Sequence, residues 1–159
     1  VPHNIIGPRQ KYDDPYRNVA SIMINLMLQN RQPIIYGDGN QKRCFSYIDD
    51  DLFCLKKMAF DKDVVGEIIN IGSDNTYSIN RLVELLDGEV VFIPKRPGEP
   101  DCTWADISKA KKLLNWHPKI SLRDGVRILL DNIDYWENAP VWDKKSIAKA
   151  TQKWFEYLG

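Results

Sequence analysis

The 159-residue chain lacks the features that mark several large classes of protein. Its 22 Lys and Arg balance 22 Asp and Glu, and a net charge near zero argues against a general polyanion binder, so we expect no nucleic-acid partner. No apolar run approaches the roughly 18 residues that span a bilayer, and no signal-peptide pattern opens the chain. We therefore expect no membrane partner. A hydrophobic content of 43% with balanced charge excludes a disordered chain.

Cysteine and histidine are both scarce. The three cysteines, Cys44, Cys54 and Cys102, are an odd number without CxxC spacing. This pattern predicts reduced thiols and a cytoplasmic location rather than disulfides or a metal site. The two histidines, His3 and His117, are interpreted as structural, because the sequence contains no GxSxG or HExxH motif and offers no plausible histidine-based triad.

The glycines do not form a dinucleotide-binding or phosphate-binding loop. A nucleotide-binding α/β enzyme normally carries closely spaced glycines between its first strand and helix. None of the nine glycines falls into GxGxxG, GxxGxxG or GxxxxGK[ST], and none of the seven tyrosines is followed four residues later by lysine. The sequence therefore predicts no catalytic residues and no cofactor-binding residues within this chain.

The sequence does contain alternating strand and helix patterns. Apolar residues at helical spacing predict a first helix over about 16–31. Short strands are predicted at 34–36, 45–48, 67–72 and 90–93. Further helices are predicted after caps at Asp49 or Asp50, Ser78, Asp106 and Ser121, and one continuous helix follows Pro140. The fold class is therefore α/β, with too few strands for a complete doubly wound sheet.

The first residues have the pattern of a strand that was cut in its middle. Its first eight residues read VPHNIIGP, without methionine. A natural terminus is more often polar and mobile. We therefore expect a fragment of a longer protein.

Two arginines lie in settings that favour anion binding. Arg43 follows a glycine-rich turn, and Arg96 lies in the loop PKRPGEP (94–100), which three prolines stiffen. A rigid loop lowers the entropy cost of a bidentate contact with phosphate. Tyr36 is able to stack on a base, and the helix start at Asn18 offers N–H groups to an anion. From the residues alone, a nucleotide-diphosphate site and a pair of solvated surface arginines both remain open.

Several motifs occur in a characteristic order along the chain. They are NIIGPRQ (4–10), YGDGNQKRCFSYIDD (36–50), NIG (70–72), RPGE (96–99), ADISKA (105–110) and LLNWHP (113–118). Together they cover about residues 1–135 and resemble the C-terminal portion of extended short-chain dehydrogenase/reductases that act on nucleotide sugars. The UDP-glucose 4-epimerase-like enzymes are the most similar group.

The resemblance implies an NAD-dependent enzyme with a Rossmann lobe and a smaller substrate-binding lobe. This chain would be the substrate-binding lobe and last elements over 1–137, followed by a C-terminal helical extension over 138–159. The Rossmann lobe, with NAD and the catalytic residues, would precede Val1, so this chain alone would be inactive. The full-length enzyme would be a cytoplasmic homodimer that binds a UDP-sugar or another nucleotide-diphosphate sugar.

The resemblance also implies substrate-binding roles for eight residues. They are Asn4, Asn18, Ile34, Tyr36, Arg43, Phe45, Arg96 and Glu99. The two arginines would clamp the diphosphate, and the glutamate would accept hydrogen bonds from ribose hydroxyls. Asn4 would contact the diphosphate or sugar region, and Asn18 the diphosphate. Ile34 and Tyr36 would flank the nucleobase, uracil if the ligand is UDP, and Phe45 would line the pocket beside the first arginine.

The sequence departs from the family pattern at a few positions. Cys44 stands where aspartate usually follows the arginine, and Arg81 stands where glutamate is usual at a helix start. Ile5-Ile6 replaces a hydrophobic-aromatic pair. These differences bear on the choice of substrate rather than on the family. The alternatives to an epimerase are a 4,6-dehydratase or reductase of the same family, and a non-catalytic binding module.

Overall fold

A computed structural model describes residues 1–11, 19–28, 31–140 and 144–158 of the chain. These residues form seven α-helices and seven strands of two or three residues, which confirms the α/β class. No large doubly wound sheet forms among them, as the small number of predicted strands indicated. None of the described helices has the length and apolar character needed to cross a membrane.

Two of the three sheets consist of parallel pairs. Strand β1 (Ile5–Ile6) pairs with β4 (Ser46–Tyr47), and β2 (Ile34–Tyr36) pairs with β6 (Val91–Ile93). The second pairing places Tyr36 opposite Ile93, and the Gly37 N–H donates to the Ile93 carbonyl oxygen at 2.8 Å. The end of β2 is therefore fixed beside the loop that carries Arg96.

The third sheet has three strands and carries Arg43 on its central strand. Strand β3 (Lys42–Arg43) runs antiparallel to β5 (Tyr77–Ser78) and parallel to β7 (Cys102–Thr103). Because β3 has neighbours on both sides, the backbone of Arg43 is held more firmly than an edge strand would hold it.

The helices mostly lie where the periodicity predicts them. They are α1 (Val19–Leu28), α2 (Ile48–Phe60), α3 (Ile79–Leu86), α4 (Ser108–Leu114), α5 (Leu122–Asp131), α6 (Lys144–Ala150) and α7 (Gln152–Leu158). Short 3₁₀ turns lie at Lys62–Val64 and Ile133–Trp136. Two predicted caps are confirmed, because the Arg81 N–H donates to Ser78 Oγ and the Asp124 N–H donates to Ser121 Oγ, each at 3.1 Å.

The predicted caps at the starts of α2 and α4 are corrected. Tyr47 occupies the N-cap of α2, with no side-chain cap, since the helix already begins at Ile48. Asp50 is used elsewhere: its Oδ2 accepts the N–H groups of Lys119 and Ile120, each at 2.9 Å. Those two backbone donors lie just before α5 and would otherwise lack an acceptor. At α4 the N-cap is Ile107, and Asp106 accepts the Ser108 N–H at 2.9 Å from one residue earlier.

The predicted strand at 67–72 is wrong. Only one isolated bridge forms there, between Pro2 and Ile71, with hydrogen bonds that join Ile71 to the backbone of Val1 and His3. In the segment that pairs with Ile71, Asn4 follows His3 and has φ of +42°. The extended conformation of that segment ends there. The pairing therefore does not extend beyond His3.

The C-terminal helix predicted as continuous is two helices. Thr151 separates α6 from α7, is fully buried, and its Oγ1 donates to the Ile147 carbonyl oxygen at 2.8 Å. Such a bond from a threonine side chain to the helix backbone often bends a helix.

Buried apolar residues form three clusters. The largest contains Met23, Ile24, Leu82, Leu129 and Trp136, and so joins α1, α3 and α5. A second cluster packs α2 against α4 and the segment around Ile71, with Trp116 at its centre. The smallest cluster joins α1, β2, β6 and α6, and it consists of Ile22, Leu26, Ile34, Ile93 and Ile147. Three of these five residues, Ile22, Ile34 and Ile147, line the cavity described below.

Candidate functional site

A cavity of about 500 Å³ gathers side chains from distant parts of the chain. This volume lies within the range of small-molecule sites, which is about 300–1,000 Å³. Six of the eight residues predicted from the sequence line it, namely Asn4, Ile34, Tyr36, Arg43, Arg96 and Glu99. The two arginines therefore face one cavity, although 53 positions separate them in the sequence.

Arg43 forms a largely buried ion pair at the cavity wall. Its Nη2 donates to Glu99 Oε1 at 2.8 Å, and its Nη1 donates to the Lys42 carbonyl oxygen at 2.7 Å. The two side chains are only 11% and 18% exposed. The second oxygen, Oε2 of Glu99, is buried and has no hydrogen-bond partner among the described residues. It is therefore an acceptor placed at the cavity wall that a hydroxyl donor would satisfy.

The turn before Arg43 depends on glycine. Gly37 and Gly39 have φ of +73° and +76°, a region that glycine adopts without steric cost. Between them, the Asp38 carboxylate accepts hydrogen bonds from the Asn40 N–H and from Asn40 Nδ2, each at 2.9 Å. These bonds lower the pKa of Asp38. The Gly-Asp-Gly motif thus serves to connect β2 to β3 and to aim Arg43 at the cavity.

Arg96 lies against aromatic rings. Its Cζ is 3.8 Å from the centroid of the Tyr36 ring and 5.9 Å from the centroid of the Trp154 ring. Both distances fall within the range of about 6 Å in which a cation is attracted to a ring face. Its Nε is buried and has no hydrogen-bond partner in the described part of the chain. Cation–π contacts with the two rings therefore help to hold the guanidinium group in place.

The loop that carries Arg96 is braced at several points. Gly98 takes φ of +68°, and the Glu99 N–H donates to the Arg96 carbonyl oxygen at 3.4 Å. Lys95 is hydrogen-bonded to Asp101, which raises the pKa of Lys95. Together with the three prolines of the loop, these contacts limit the backbone conformations open to Arg96.

Strand alternation explains how Ile34 and Tyr36 reach the cavity. Residues i and i+2 of a strand share a face, so Ile34 and Tyr36 point one way and Ile35 points into the largest cluster. The Tyr36 hydroxyl is buried without a hydrogen-bond partner among the described residues. One face of its ring is covered by Arg96, so a base would contact the ring elsewhere or displace the guanidinium.

Asn4 lies on the same side as the arginines. It follows the bridge at Pro2 and has a positive φ, a conformation that asparagine tolerates better than most residues. Its Nδ2 donates to Thr103 Oγ1 at 3.4 Å, which ties it to the strand beside β3. The amide therefore stands at the cavity wall in a fixed position.

Of the other two predicted residues, Phe45 does not line this cavity and Asn18 lies where the structure gives no description. Phe45 is 3% exposed and packs in the largest cluster instead. The reason is that β3 ends at Arg43 and β4 begins at Ser46, so strand alternation does not carry over to Phe45. Asn18 lies outside the described residues, and the first described residue of α1, Val19, lines the cavity.

The structure adds cavity residues that the sequence analysis missed. Among them are Gln10, Gln41 and Ile147. Gln41 donates from Nε2 to the Tyr36 carbonyl oxygen at 2.7 Å. Its position in the YGDGNQKR motif could have identified it as a site residue. Ile147 belongs to the C-terminal helices, and no motif connects those helices to the site.

The described residues do not fit a dinucleotide cofactor. No connection from a strand to a helix among them carries closely spaced glycines, and the glycines with positive φ lie in other turns. The described residues also form no group of three or more His, Cys, Asp or Glu side chains able to hold a metal ion. The cavity wall carries two guanidinium groups and an aromatic ring, which are groups able to contact an anion and a base.

Comparison with protein families places most of the chain in one family. The family described as GDP-mannose 4,6 dehydratase matches residues 1–129. An uncharacterized UDP-glucose epimerase of Bacillus subtilis is 37% identical over 128 residues, which are 77% of this chain and 39% of that protein. The UDP-N-acetyl-alpha-D-glucosaminuronate decarboxylase of Bacillus cytotoxicus is 34% identical over 136 residues, which are 78% of this chain and 42% of that protein.

A solved structure agrees with these relatives. The UDP-glucuronic acid 4-epimerase of Bacillus cereus, in complex with UDP-glucuronic acid and NAD, matches with a TM-score of 0.73 and 36% identity over 84% of this chain and 43% of that chain. This chain thus spans about two fifths of the length of the proteins it matches. The chain belongs to the extended short-chain dehydrogenase/reductase family, within the group that includes these UDP-sugar epimerases and decarboxylases.

Proposed function

We propose that this chain is the substrate-binding portion of an NAD-dependent nucleotide-sugar 4-epimerase, and that it holds a UDP-sugar by its diphosphate. The observation that carries the proposal is that Arg43 and Arg96, from separate elements, line one cavity. A diphosphate has two phosphoryl groups, and guanidinium geometry matches phosphate oxygens. The family membership and the epimerases among the relatives support the same assignment.

The ion pair with Glu99 prepares Arg43 for this role. A side chain already held in place loses less conformational entropy when it binds a phosphoryl group. Arg43 presents the guanidinium edge that Glu99 does not use, while Glu99 Oε2 accepts a ribose hydroxyl. Asn4 contacts the diphosphate or the adjoining sugar, and Asn18, which lies outside the described residues, contacts the diphosphate.

The apolar end of the cavity takes the nucleobase. Ile34 and Tyr36 lie side by side on one face of β2, with Val19 and Ile22 of α1 also on the cavity wall. Because Arg96 covers one face of the Tyr36 ring, the base packs against Ile34 and the remaining edge of Tyr36. Uracil is the base in the substrates named for the relatives.

Binding by the nucleotide end suits an epimerase. Turning a 4-keto sugar over within the site requires that the protein grip the sugar ring loosely. Affinity is then best placed on the non-reacting part of the substrate, which is the diphosphate and the base. The cavity described here supplies groups for that part.

The remainder of the activity belongs to the whole enzyme. We assign NAD and the catalytic residues to a part of the enzyme outside this chain, because the described residues offer no dinucleotide turn. Within the chain we assign residues 1–137 to the substrate-binding lobe and 138–159 to a C-terminal helical extension. The whole enzyme is a cytoplasmic homodimer in this proposal.

A second candidate function is a nucleotide-sugar dehydratase or decarboxylase of the same family. It is favoured by the matching family description, which is that of a 4,6 dehydratase, and by the decarboxylase relative at 34% identity. These activities share a nucleotide-sugar substrate with the epimerases, so the cavity would serve them equally. They would differ in the catalytic groups that this chain does not supply.

Calorimetric titration of the 159-residue chain tests the proposal. UDP and UDP-glucuronic acid should bind with similar affinity, because the contacts go to the shared nucleotide diphosphate. NAD should not bind, and no epimerase turnover should be detected with NAD present. Absence of UDP binding, or turnover by this chain, would contradict the proposal.

A further inference from the structure

We propose that Trp154 on α7 is a positioning residue for Arg96, so that the C-terminal helices form part of the nucleotide site. The family match ends at residue 129, and it therefore assigns no role to these helices. The identity of the ligand rests on the proposed function, whereas the positioning of the Arg96 loop is a property of the chain itself.

The first contact is a hydrogen bond to the loop backbone. Trp154 Nε1 donates to the Pro97 carbonyl oxygen at 3.0 Å, across 57 positions of sequence. Pro97 directly follows Arg96, so this bond fixes the backbone next to the arginine. An indole N–H has no acceptor function and finds one partner at a time, which makes the contact directional.

The second contact is with the guanidinium group. Arg96 Cζ lies 3.8 Å from the Tyr36 ring centroid and 5.9 Å from the Trp154 ring centroid. The shorter distance makes Tyr36 the stronger ring partner, because cation–π attraction weakens toward about 6 Å. Trp154 therefore acts mainly through the loop backbone, and its ring adds a weaker attraction on the guanidinium.

An independent contact anchors the same helices to the cavity. Ile147 on α6 is fully buried and packs against Ile22, Ile34 and Ile93. It also lines the cavity itself. The C-terminal helices thus make two separate contacts, one through Ile147 with the apolar cluster and one through Trp154 with the Arg96 loop.

Hydrogen exchange and UDP calorimetry on matched variants test the inference. The variants are Trp154→Ala, Trp154→Phe, which keeps a ring but lacks the N–H, and the control Tyr157→Ala. Tyr157 lies on the same helix and is 82% exposed, so its loss should change neither measurement.

Both Trp154 variants should increase exchange at the amide of Glu99 in this loop, whose N–H donates to the Arg96 carbonyl oxygen. Trp154→Ala should weaken UDP binding about tenfold, and Trp154→Phe about threefold, since the lost contacts are one neutral hydrogen bond and one weak cation–π contact. In an Arg96→Ala background, Trp154→Ala should cause no further loss of UDP affinity, because it acts through that arginine.

Two outcomes would overturn the inference. One is loop exchange in Trp154→Phe that equals that of the unmodified chain, and this variant decides the matter if Trp154→Ala does not fold. The other is an equal loss of UDP affinity from Trp154→Ala with and without Arg96. If the unmodified chain does not bind UDP, the proposed function fails, while the exchange of the loop still decides whether Trp154 positions it.

Discussion

Glu99 Oε1 accepts a 2.8 Å hydrogen bond from Arg43 Nη2 at the wall of the cavity. The contact joins the central strand of one sheet to the loop that carries Arg96, across 56 positions of sequence. Both side chains are mostly buried, so the pair is screened by water far less than a surface ion pair. The stability of the site therefore depends on an ion pair that holds Arg43 beside the loop of Arg96.

Replacing Glu99 should destabilise the fold. Glu99→Ala leaves the Arg43 charge mostly buried without its partner, and we expect the free energy of unfolding to fall by about 1.5–3 kcal/mol. Glu84 is the matched control, because its ion pair with Arg81 lies on the surface, with side chains 42% and 63% exposed. Glu84→Ala should cost less than about 1 kcal/mol. Urea unfolding measures the free energy of unfolding of both variants. Equal losses would show that the buried ion pair stabilises the fold no more than the surface pair does.

Burial of Asp51 should make stability depend on pH. Loss of hydration raises the pKa of Asp51 to about 6, the neighbouring Asp50 adds to this rise, and a hydrogen bond from Ser46 Oγ at 3.0 Å opposes it. The folded state therefore holds the proton more tightly than the unfolded chain. Stability from this group is fully present below about pH 4 and is lost as the pH rises through about 6.

Asp51→Asn should remove that dependence. Above pH 6 the variant should be more stable than the unmodified chain by about 2–3 kcal/mol, and below pH 4 the two should be equal. The control is Asp49→Asn, because Asp49 is exposed in the same helical turn. Urea unfolding at several pH values gives the comparison, and parallel pH profiles for Asp51→Asn and the unmodified chain would refute it.

The packing of the C-terminal helices should contribute measurably to the free energy of unfolding. Ile147 is buried against α1, β2 and β6, so Ile147→Ala should lower the free energy of unfolding by about 2–4 kcal/mol. Ile68 is exposed, and Ile68→Ala should change it by no more than about 0.5 kcal/mol. Thermal or urea unfolding measures the change caused by each substitution. A negligible loss from Ile147→Ala would mean that α6 does not pack where the structure places it.

Local chemistry made part of this structure predictable. The short strand at 34–36 was predicted from its apolar run. Ser78 and Ser121 marked two helix starts, because capping involves only residues three positions apart. The arginine motifs placed Arg43 and Arg96 on rigid backbone, and the structure brings both to one cavity. Their binding of a nucleotide stays a prediction.

Long-range contacts explain what the sequence could not provide. Asp50 resembled a helix cap, but its carboxylate is used by backbone donors about 70 positions away. A helix was predicted after Pro140, but no local pattern shows that Ile147 packs against α1, β2 and β6. Phe45 lies in the same motif as the site residue Arg43. The break between β3 and β4 nevertheless places the Phe45 side chain in the largest apolar cluster.

The most direct test of the central claim is the affinity for UDP of Arg43→Ala and Arg96→Ala, measured by calorimetry beside Arg127→Ala. Arg127 is the control because its side chain is 70% exposed on α5. We predict that each cavity arginine contributes about 1.5–3 kcal/mol, which corresponds to a roughly 10- to 150-fold loss of affinity, and that Arg127→Ala binds as the unmodified chain does. Unchanged affinity in both Arg43→Ala and Arg96→Ala would contradict the diphosphate clamp.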